Sequence, residues 1–336
     1  MNAPQSSRTS RRAFLRQAGL GLAACAATGL APRLLARTTG DRPARTLILI
    51  QLAGGNDWLN TFVPTDDDAY ARLRPTLALA GPERIPLQTS LGLHRAAAGL
   101  EPLFKEGQLA VVAGLGPDHD VATHHRATEL WHTASAPDER LGTGWAGRAL
   151  ADAQGRGRPV TAWHGTHCAP CILLAEDRPA RPLATVGLGI RAQLAEIAET
   201  AGDRTTTDVF FVSVPGFDTH FDQSAAHAVR LAEVSDALAQ LQARLARRGV
   251  AERVVTCVFS EFGRTEAENT QAGTDHARLG SALLLGPAIR GGWHPAAADG
   301  TDLRRLALTL GADWLGATPA AITPATFAPL PLLALG

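Results

Sequence analysis

The stretch TLILIQLAGGNDWLNTFVP, residues 46–64, decides the fold. Residues 47–52 are apolar and β-prone and lack the polar alternation of a half-exposed strand, which predicts a strand buried on both faces of a parallel sheet. Two glycines then let the backbone turn sharply, and Asn56 and Asp57 follow. Ligands of open α/β sheets lie beyond the carboxyl ends of the strands, so Asp57 is placed for chemistry. An Asx-turn, in which both side chains bond their own backbone, is the alternative.

Three more segments have the character of buried strands: LAVVAG at 109–114, DVFFVSVPG at 208–216 and RVVTCVF at 253–259. Residues 91–106 predict a helix that ends at Gly107, directly before the second strand. Residues 223–248 repeat apolar residues at spacings of three and four, which predicts a long helix. Because a strand, a crossover helix and a strand in succession are typical of parallel sheets, the sequence predicts an α/β fold.

The N-terminus has the features of an export signal. Residues 10–16, SRRAFLR, match the twin-arginine pattern, and residues 18–32 form a short, weakly apolar run rich in Ala and Gly. This run is too short and too mild for a confident membrane span. We expect residues 1–36 to be a signal peptide that engages the twin-arginine translocase. Residues 37–336 would then be a single periplasmic or extracytoplasmic domain with no stable membrane insertion after cleavage.

The charge balance argues against nucleic acid as a partner. The chain carries 32 basic and 32 acidic residues, but five arginines and no acid lie in the first 36 positions. The remainder is therefore mildly acidic and has no basic stripe, unlike a nucleic-acid-binding surface. Nucleic acid is therefore not an expected partner; the partner that we predict is a small-molecule or polysaccharide ester substrate.

The four cysteines have different expected roles. Cys25 lies in the signal segment, and Cys257 lies in a predicted strand, where a buried inert thiol is the usual state. Cys168 and Cys171 form a Cys-Ala-Pro-Cys motif preceded by two histidines, at positions 164 and 167. This motif is compatible with a disulfide, with free thiols or with a zinc site, and the sequence leaves all three open.

Polar clusters follow the predicted strands and extend into the loop after the fourth: Asn56-Asp57, Thr123-His124-His125, Asp218-Thr219-His220, Ser260-Glu261 and Thr274-Asp275-His276. The carboxyl ends of parallel strands meet at one edge of a sheet, so these residues are expected to gather there. Carboxylates and imidazoles together form the ligand set of a divalent metal of the zinc or manganese kind, with calcium as a further possibility. The clusters therefore predict a metal site.

Several members of these clusters also have simpler explanations. Thr123 is a plausible N-cap of a helix that runs to about residue 133, and Asp218 or Asp222 could cap the long helix that follows. Asp275 could belong to a turn. Glu261 directly follows a buried strand and needs a partner, which Arg264 could supply. At least one of the histidines 124, 125 and 132 is expected to be a surface or packing residue.

The order of these motifs resembles the twin-arginine-exported family catalogued as domain of unknown function 1501. The resemblance rests on LILIQLAGGNDWLNTFVP, GLHRAAAGLEPLFKEGQLAVVAGLG, THHRATELWHTA, GFDTHFDQ and FSEFGRTEAENTQAGTDHARLGSALLLG. That family resembles a distant branch of the alkaline phosphatase and sulfatase superfamily. The resemblance implies a three-layer α/β/α fold with a mostly parallel central sheet.

The resemblance also implies roles for individual residues. Thr123 stands where the superfamily has its nucleophile, with His124 beside it, and we predict both as catalytic. The predicted metal ligands are Asp57, Asp218, His220, Glu261, Asp275 and His276, and the further site residues are Asn56 and Arg264.

Two departures bear on these assignments. The superfamily usually has Asp-x-x-x-His where this chain has Asp218-Thr219-His220, and Phe262 stands where a histidine would follow the acid. One metal is therefore expected to be lost or bound differently.

Three functions follow from the sequence. The first is an exported metal-dependent hydrolase of phosphate or sulfate esters. The second is a non-catalytic envelope binding or assembly protein that keeps the fold and one metal, which Phe262 favours. The third, an exported oxidoreductase, is disfavoured because no strand is followed by Gly-x-Gly-x-x-Gly.

Overall fold

The computed structural model describes residues 43–118, 121, 123–176, 178–295, 297–324 and 326–335. The predicted signal peptide lies outside the described residues. The strands of the described chain are β1 (Thr46–Leu52), β2 (Phe62–Pro64), β3 (Arg84–Gln88), β4 (Leu91–His94), β5 (Leu109–Gly116), β6 (Val160–His164), β7 (Arg181–Pro182), β8 (Thr207–Val214), β9 (Val254–Phe259), β10 (Gly263–Arg264), β11 (His276–Ala277), β12 (Gly280–Leu285), β13 (Gly292–His294) and β14 (Thr301–Asp302).

The described α-helices are α1 (Asp68–Leu73), α2 (Glu101–Lys105), α3 (His124–Thr133), α4 (Trp145–Gly155), α5 (Ile190–Thr200), α6 (Gln223–Arg247), α7 (Leu303–Leu308) and α8 (Pro319–Ile322). Shorter 3₁₀ turns lie at Gly81–Glu83, Arg95–Leu100, Cys171–Leu173 and Ala251–Arg253, and a π-helical turn spans Thr309–Trp314. No described helix is long and apolar enough to cross a bilayer.

Nine described strands form the central sheet, in the order β13-β5-β12-β9-β1-β8-β6-β7 with β14 beside β5. β1 lies between β8 and β9 and is parallel to both. β12 is antiparallel to β5 and to β9, and the other pairs are parallel. The predicted mostly parallel sheet is therefore confirmed, with one reversed strand in its middle.

Alternate residues of β1 enter two separate cores. Leu47 and Leu49 pack with residues of α3, α4 and α7, whereas Ile48 and Ile50 pack with residues of α5 and α6. Helices thus cover both faces of the sheet, which explains why the strand is apolar throughout. The predicted three-layer α/β/α architecture is confirmed. Residues Ala44–Gly336 form one compact unit, and the other unit, Met1–Pro43, lies outside the described residues except for Pro43.

The helix predicted over residues 91–106 is only partly present. Leu91–His94 forms strand β4 of a small antiparallel sheet with β2 and β3. His94 then accepts a hydrogen bond from the backbone of Ala96 through Nδ1 (2.9 Å), and a 3₁₀ turn follows in which Ala97 has non-helical backbone angles. A regular helix therefore begins only at Glu101.

The two glycines after β1 are required by their surroundings. Both have positive φ, +118° for Gly54 and +85° for Gly55. A Cβ atom on Gly54 would lie 2.2 Å from the backbone nitrogen of Asp218, and one on Gly55 would lie 2.6 Å from the ring of Phe262. The turn thus passes directly against two segments that carry predicted site residues.

Candidate metal centre

Four predicted site residues meet beyond the carboxyl end of the central sheet. Asp218 and His220 follow β8, His124 is the first residue of α3, and His276 begins β11. Ligand atoms of His124, Asp218 and His276 all lie within 4.8 Å of one another. Some of the polar residues that follow the predicted strands therefore lie together, as imidazoles around one carboxylate.

The tightest part of the cluster joins three side chains. The Nε2 atoms of His220 and His276 are 2.9 Å apart, and Oδ1 of Asp218 lies 3.0 Å and 3.1 Å from them. The Nε2 atom of His124 lies 3.4 Å from Oδ2 of the same carboxylate. Ligand atoms on a tetrahedral zinc ion are about 3.3 Å apart, because each bond is about 2.0–2.1 Å long. The chemistry and spacing of these donors fit a zinc ion.

Two predicted ligands lie behind imidazoles instead of facing the cluster. Oε1 of Glu261 lies 2.9 Å from Nδ1 of His124, and Oδ1 of Asp275 lies 3.1 Å from Nδ1 of His220. A carboxylate at Nδ1 favours the tautomer that leaves Nε2 free to bind a metal. Glu261 is further fixed by the backbone N–H of Gly54, which donates to its Oε1 (2.8 Å). Both acids are thus placed to orient histidines.

Asp57, also a predicted ligand, is engaged elsewhere. Its side chain is buried and its Oδ2 lies 2.6 Å from the guanidinium of Arg74, which is also buried. The backbone N–H of Asn60 donates to its Oδ1 (3.3 Å), a local bond of the kind that the turn explanation anticipates. Burial alone would raise the pKa of Asp57, but Arg74 holds it below its ordinary value. Asp57 is therefore an ionised partner of Arg74.

Asn56 likewise turns into the interior. Its Oδ1 lies 2.9 Å from Nε2 of His227, and its Nδ2 donates to the hydroxyl of Thr61 (2.9 Å). Burial lowers the pKa of His227 to about 4, so this ring is neutral near pH 7. Asn56 therefore belongs to the packing beneath the turn.

Arg264 binds the cluster's carboxylate. Its Nη2 lies 2.6 Å from Oδ1 of Asp218 and also donates to the backbone carbonyl groups of Gly54 and Phe217. Its Nε and Nη1 donate to the carbonyl groups of Gly55 and Thr274. The sequence offers Arg264 as a partner for Glu261, but its acid partner is Asp218. Burial alone would raise the pKa of Asp218, whereas hydrogen bonds from His276 and Arg264 hold it below its ordinary value.

Two imidazole rings of the cluster pack on an aromatic side chain. Burial lowers the pKa of His276, which keeps the imidazole in its metal-binding form. The ring of Phe262 lies 4.0 Å from that of His276 and 4.7 Å from that of His124, measured between centroids. Phe262 thus supports two imidazoles at the position where the family resemblance leads one to expect a third ligand.

Thr123 is the N-cap of α3, as the simpler explanation predicts. Its hydroxyl accepts a hydrogen bond from the backbone N–H of Arg126 (3.3 Å), and the residue is exposed beside His124. The expected packing histidine is His132, which is buried and lies 3.0 Å from Oε1 of Gln51. Asp222 is the N-cap residue of α6, although its side chain makes no capping bond.

The described cysteines are not members of the cluster. Cys168 and Cys171 are free thiols, the former exposed, and Cys257 is buried, as expected. Burial raises the pKa of Cys171. Cys168 and Cys171 are not joined in a disulfide, and free thiols and a zinc site stay open for the Cys-Ala-Pro-Cys motif.

The comparisons with known proteins agree with the predicted family. The model described as "Protein of unknown function (DUF1501)" matches residues 200–305, which confirms the resemblance over that segment. No curated protein matches the chain. Among solved structures, the chain is similar to the C-terminal periplasmic domain of EcEptC from Escherichia coli in complex with Zn, at 12% identity and a TM-score of 0.47 over 84% of each chain.

Two further structures are similar to a comparable degree. One is a protein in the alkaline phosphatase superfamily from Vibrio parahaemolyticus, at 11% identity and a TM-score of 0.45, covering 86% of this chain and 72% of that one. The other is the lipoteichoic acid synthase LtaP from Listeria monocytogenes, at 11% identity and a TM-score of 0.43, covering 82% of this chain and 72% of that one.

Proposed function

We propose that the chain binds one divalent cation through His124, Asp218, His220 and His276 and hydrolyses phosphate or sulfate esters there. The observation that carries the proposal is the convergence of two imidazole nitrogens and a carboxylate oxygen at 2.9–3.1 Å from one another. Three imidazoles favour zinc, with manganese second, over calcium, which prefers oxygen ligands.

The exposure of the cluster supports catalysis over a purely structural role. The side chains of His124 and Asp218 are 42% and 45% exposed. Structural zinc sites are closed by four protein ligands, whereas catalytic sites keep one position open to solvent and substrate. A bound divalent ion would act as a Lewis acid toward an ester oxygen and would lower the pKa of a nearby hydroxyl group.

The first turn of α3 would help to hold the anionic part of the ester. His124 is its first residue, so backbone N–H groups and the positive end of the helix dipole lie beside the cluster. Thr123 directly precedes it and is exposed, which makes its hydroxyl the candidate nucleophile. In the capping bond the hydroxyl oxygen accepts a hydrogen bond from the backbone N–H of Arg126, so the hydroxyl hydrogen is not used by the cap.

A groove beside the cluster would receive the organic part of the substrate. It has a volume of about 490 Å³ and extends from Arg264 and Ala277, next to His276, to the aromatic side chains of Trp58 and Trp293. An open groove with aromatic and charged walls suits a small molecule or one unit of a polysaccharide. Export to the periplasm by the twin-arginine route, inferred from residues 10–16, would bring the domain to envelope substrates.

A specific observation also favours a non-catalytic binding or assembly protein. Arg264 places a positive charge against Asp218, and Asp57 and Glu261 are bound to Arg74 and His124 instead of to a second metal position. A single metal ion without a second metal position would allow the protein to bind a ligand without hydrolysing it.

An ester panel separates the two functions. The mature protein is incubated with aryl phosphate monoesters, aryl phosphate diesters and aryl sulfates in the presence of zinc, manganese or calcium. Hydrolysis that depends on the metal supports the hydrolase, and metal binding without hydrolysis of any ester supports the binding protein.

Thr123 is tested by a matched pair of substitutions. As a nucleophile it should retain activity as Thr123→Ser and lose it by orders of magnitude as Thr123→Ala. As a cap alone it should cost about 1 kcal/mol of stability as Ala and leave turnover within a few-fold of wild type. Full activity of Thr123→Ala would remove Thr123 from the mechanism.

A further inference from the structure

The buried side chain of Gln223 connects three segments around the metal centre. Gln223 is the first residue of α6 and is fully buried. Its Oε1 accepts hydrogen bonds from the hydroxyl groups of Thr219 (2.9 Å) and Thr274 (2.7 Å), and its Nε2 donates to Oδ2 of Asp57 (2.5 Å). One amide group thus holds the turn after β1 and two loops.

The two threonines lie next to the proposed metal ligands. Thr219 separates Asp218 from His220, and Thr274 lies two residues before His276. Both threonines are buried, and the backbone N–H of Thr274 donates to the carbonyl of Thr219 (3.2 Å). The Gln223 carbonyl therefore binds both segments that supply the three closest donor atoms.

Asp57 determines which way the amide points. Its carboxylate is ionised beside Arg74, so it accepts from Nε2 of Gln223 and would repel Oε1 at the same place. The carbonyl oxygen consequently faces the two threonine hydroxyl groups, both of which can donate. The Asp57–Arg74 ion pair is thus connected through Gln223 to the segments that carry the proposed ligands.

We propose that Gln223 is a positioning residue of the metal centre, which keeps the Asp218–His220 segment and the His276 segment close enough to bind one ion. The inference rests on the proposed metal binding. It predicts that removing the amide weakens metal affinity while the protein stays folded, as is found for groups that orient metal ligands without contacting the ion.

The test compares Gln223→Met with Gln242→Met in the mature protein. Gln242 is also buried on α6, 19 residues after Gln223. Its amide donates to the hydroxyl of Thr256 on strand β9 instead of to Thr219 or Thr274. Zinc affinity is measured by competition with a chromogenic chelator, and folding is checked by circular dichroism and thermal unfolding. We expect Gln223→Met to weaken zinc binding about 10- to 100-fold and Gln242→Met to change it less than about twofold.

Thr274→Val provides a second variant because it removes one hydroxyl at nearly constant volume, should Gln223→Met not fold. Its affinity loss should not add to that of Gln223→Met in the double variant, since both break the same bond. Equal zinc affinity of wild type, Gln223→Met and Thr274→Val would overturn the positioning role alone. A wild type that binds no zinc would overturn the proposed function together with this role.

Discussion

Two buried histidines should make the protein sensitive to mild acid. Burial lowers the pKa of His132 to about 4, and the same effect lowers the pKa of His227 to about 4. Each ring makes a hydrogen bond as a neutral group, His132 with Gln51 at 3.0 Å and His227 with Asn56 at 2.9 Å. In the unfolded chain both would titrate near 6.5.

The direction and magnitude of the change in the free energy of unfolding with pH follow from proton linkage. Because the folded pKa is lowered, the unfolded chain binds more protons between about pH 4 and pH 6.5, and the free energy of unfolding falls as pH decreases through that window. At pH 5 the loss relative to pH 8 is about 2 kcal/mol per histidine. Burial also raises the pKa of Asp208 to about 7. This carboxyl has the opposite effect, because the folded chain binds its proton at higher pH than the unfolded chain does, so the free energy of unfolding rises as pH falls.

The contribution of each histidine is therefore measured as a difference. Wild type, His132→Gln and His227→Gln are unfolded with urea at pH 8, 6 and 5 in the presence of a chelator, which removes any bound metal. The contribution of Asp208 is the same in all three proteins and cancels in the difference between them. Between pH 8 and pH 5, wild type should lose about 2 kcal/mol more than either variant. The exposed His125 provides the control, since His125→Gln should follow the wild-type curve. Parallel curves for all four proteins would refute the reasoning.

Three further predictions follow from single features of the chain. Arg74→Met should lower the free energy of unfolding by about 3–5 kcal/mol because it leaves the Asp57 carboxylate buried and unpaired; a loss within urea-titration error would contradict the ion pair. Gly54→Ala should lower the melting temperature, because a Cβ would lie 2.2 Å from a backbone nitrogen at a φ of +118°, and an unchanged melting temperature would oppose this packing. Replacing Arg11 and Arg12 with Lys should keep the precursor in the cytoplasm, and mature-sized periplasmic protein in cell fractions would exclude twin-arginine export.

Local patterns in the sequence were sufficient for most of the fold. The apolar strands β1, β5, β8 and β9 and the long helix α6 lie within a few residues of their predicted bounds. The signal for the reversed strand β12, Gly280–Leu285, is only the short apolar run SALLL at 281–285. Since a strand buried on both faces has the same continuous apolar character in either direction, the sequence could not show that β12 is antiparallel.

The sequence predicted where the candidate site lies, but not which side chains contact one another within it. Because these residues follow the carboxyl ends of strands, we expected His124, Asp218 and His276 at one edge of the sheet, and their ligand atoms do lie together. The pattern could not distinguish an acid that faces the cluster from one that lies behind an imidazole, as Glu261 does, because both positions follow a strand. The pairing of Asp57 depends on tertiary structure, since Arg74 lies 17 residues away.

The most direct test of the account is the zinc content of the purified mature protein after expression in zinc-supplemented medium. The account predicts one tightly bound zinc ion per chain in wild type and in His125→Ala, whose side chain is exposed outside the cluster. It predicts loss of that ion in His276→Ala, because the Nε2 atom of this residue lies within 3.1 Å of both Asp218 and His220. Wild-type protein without zinc, or equal zinc in folded His276→Ala, would contradict the metal centre.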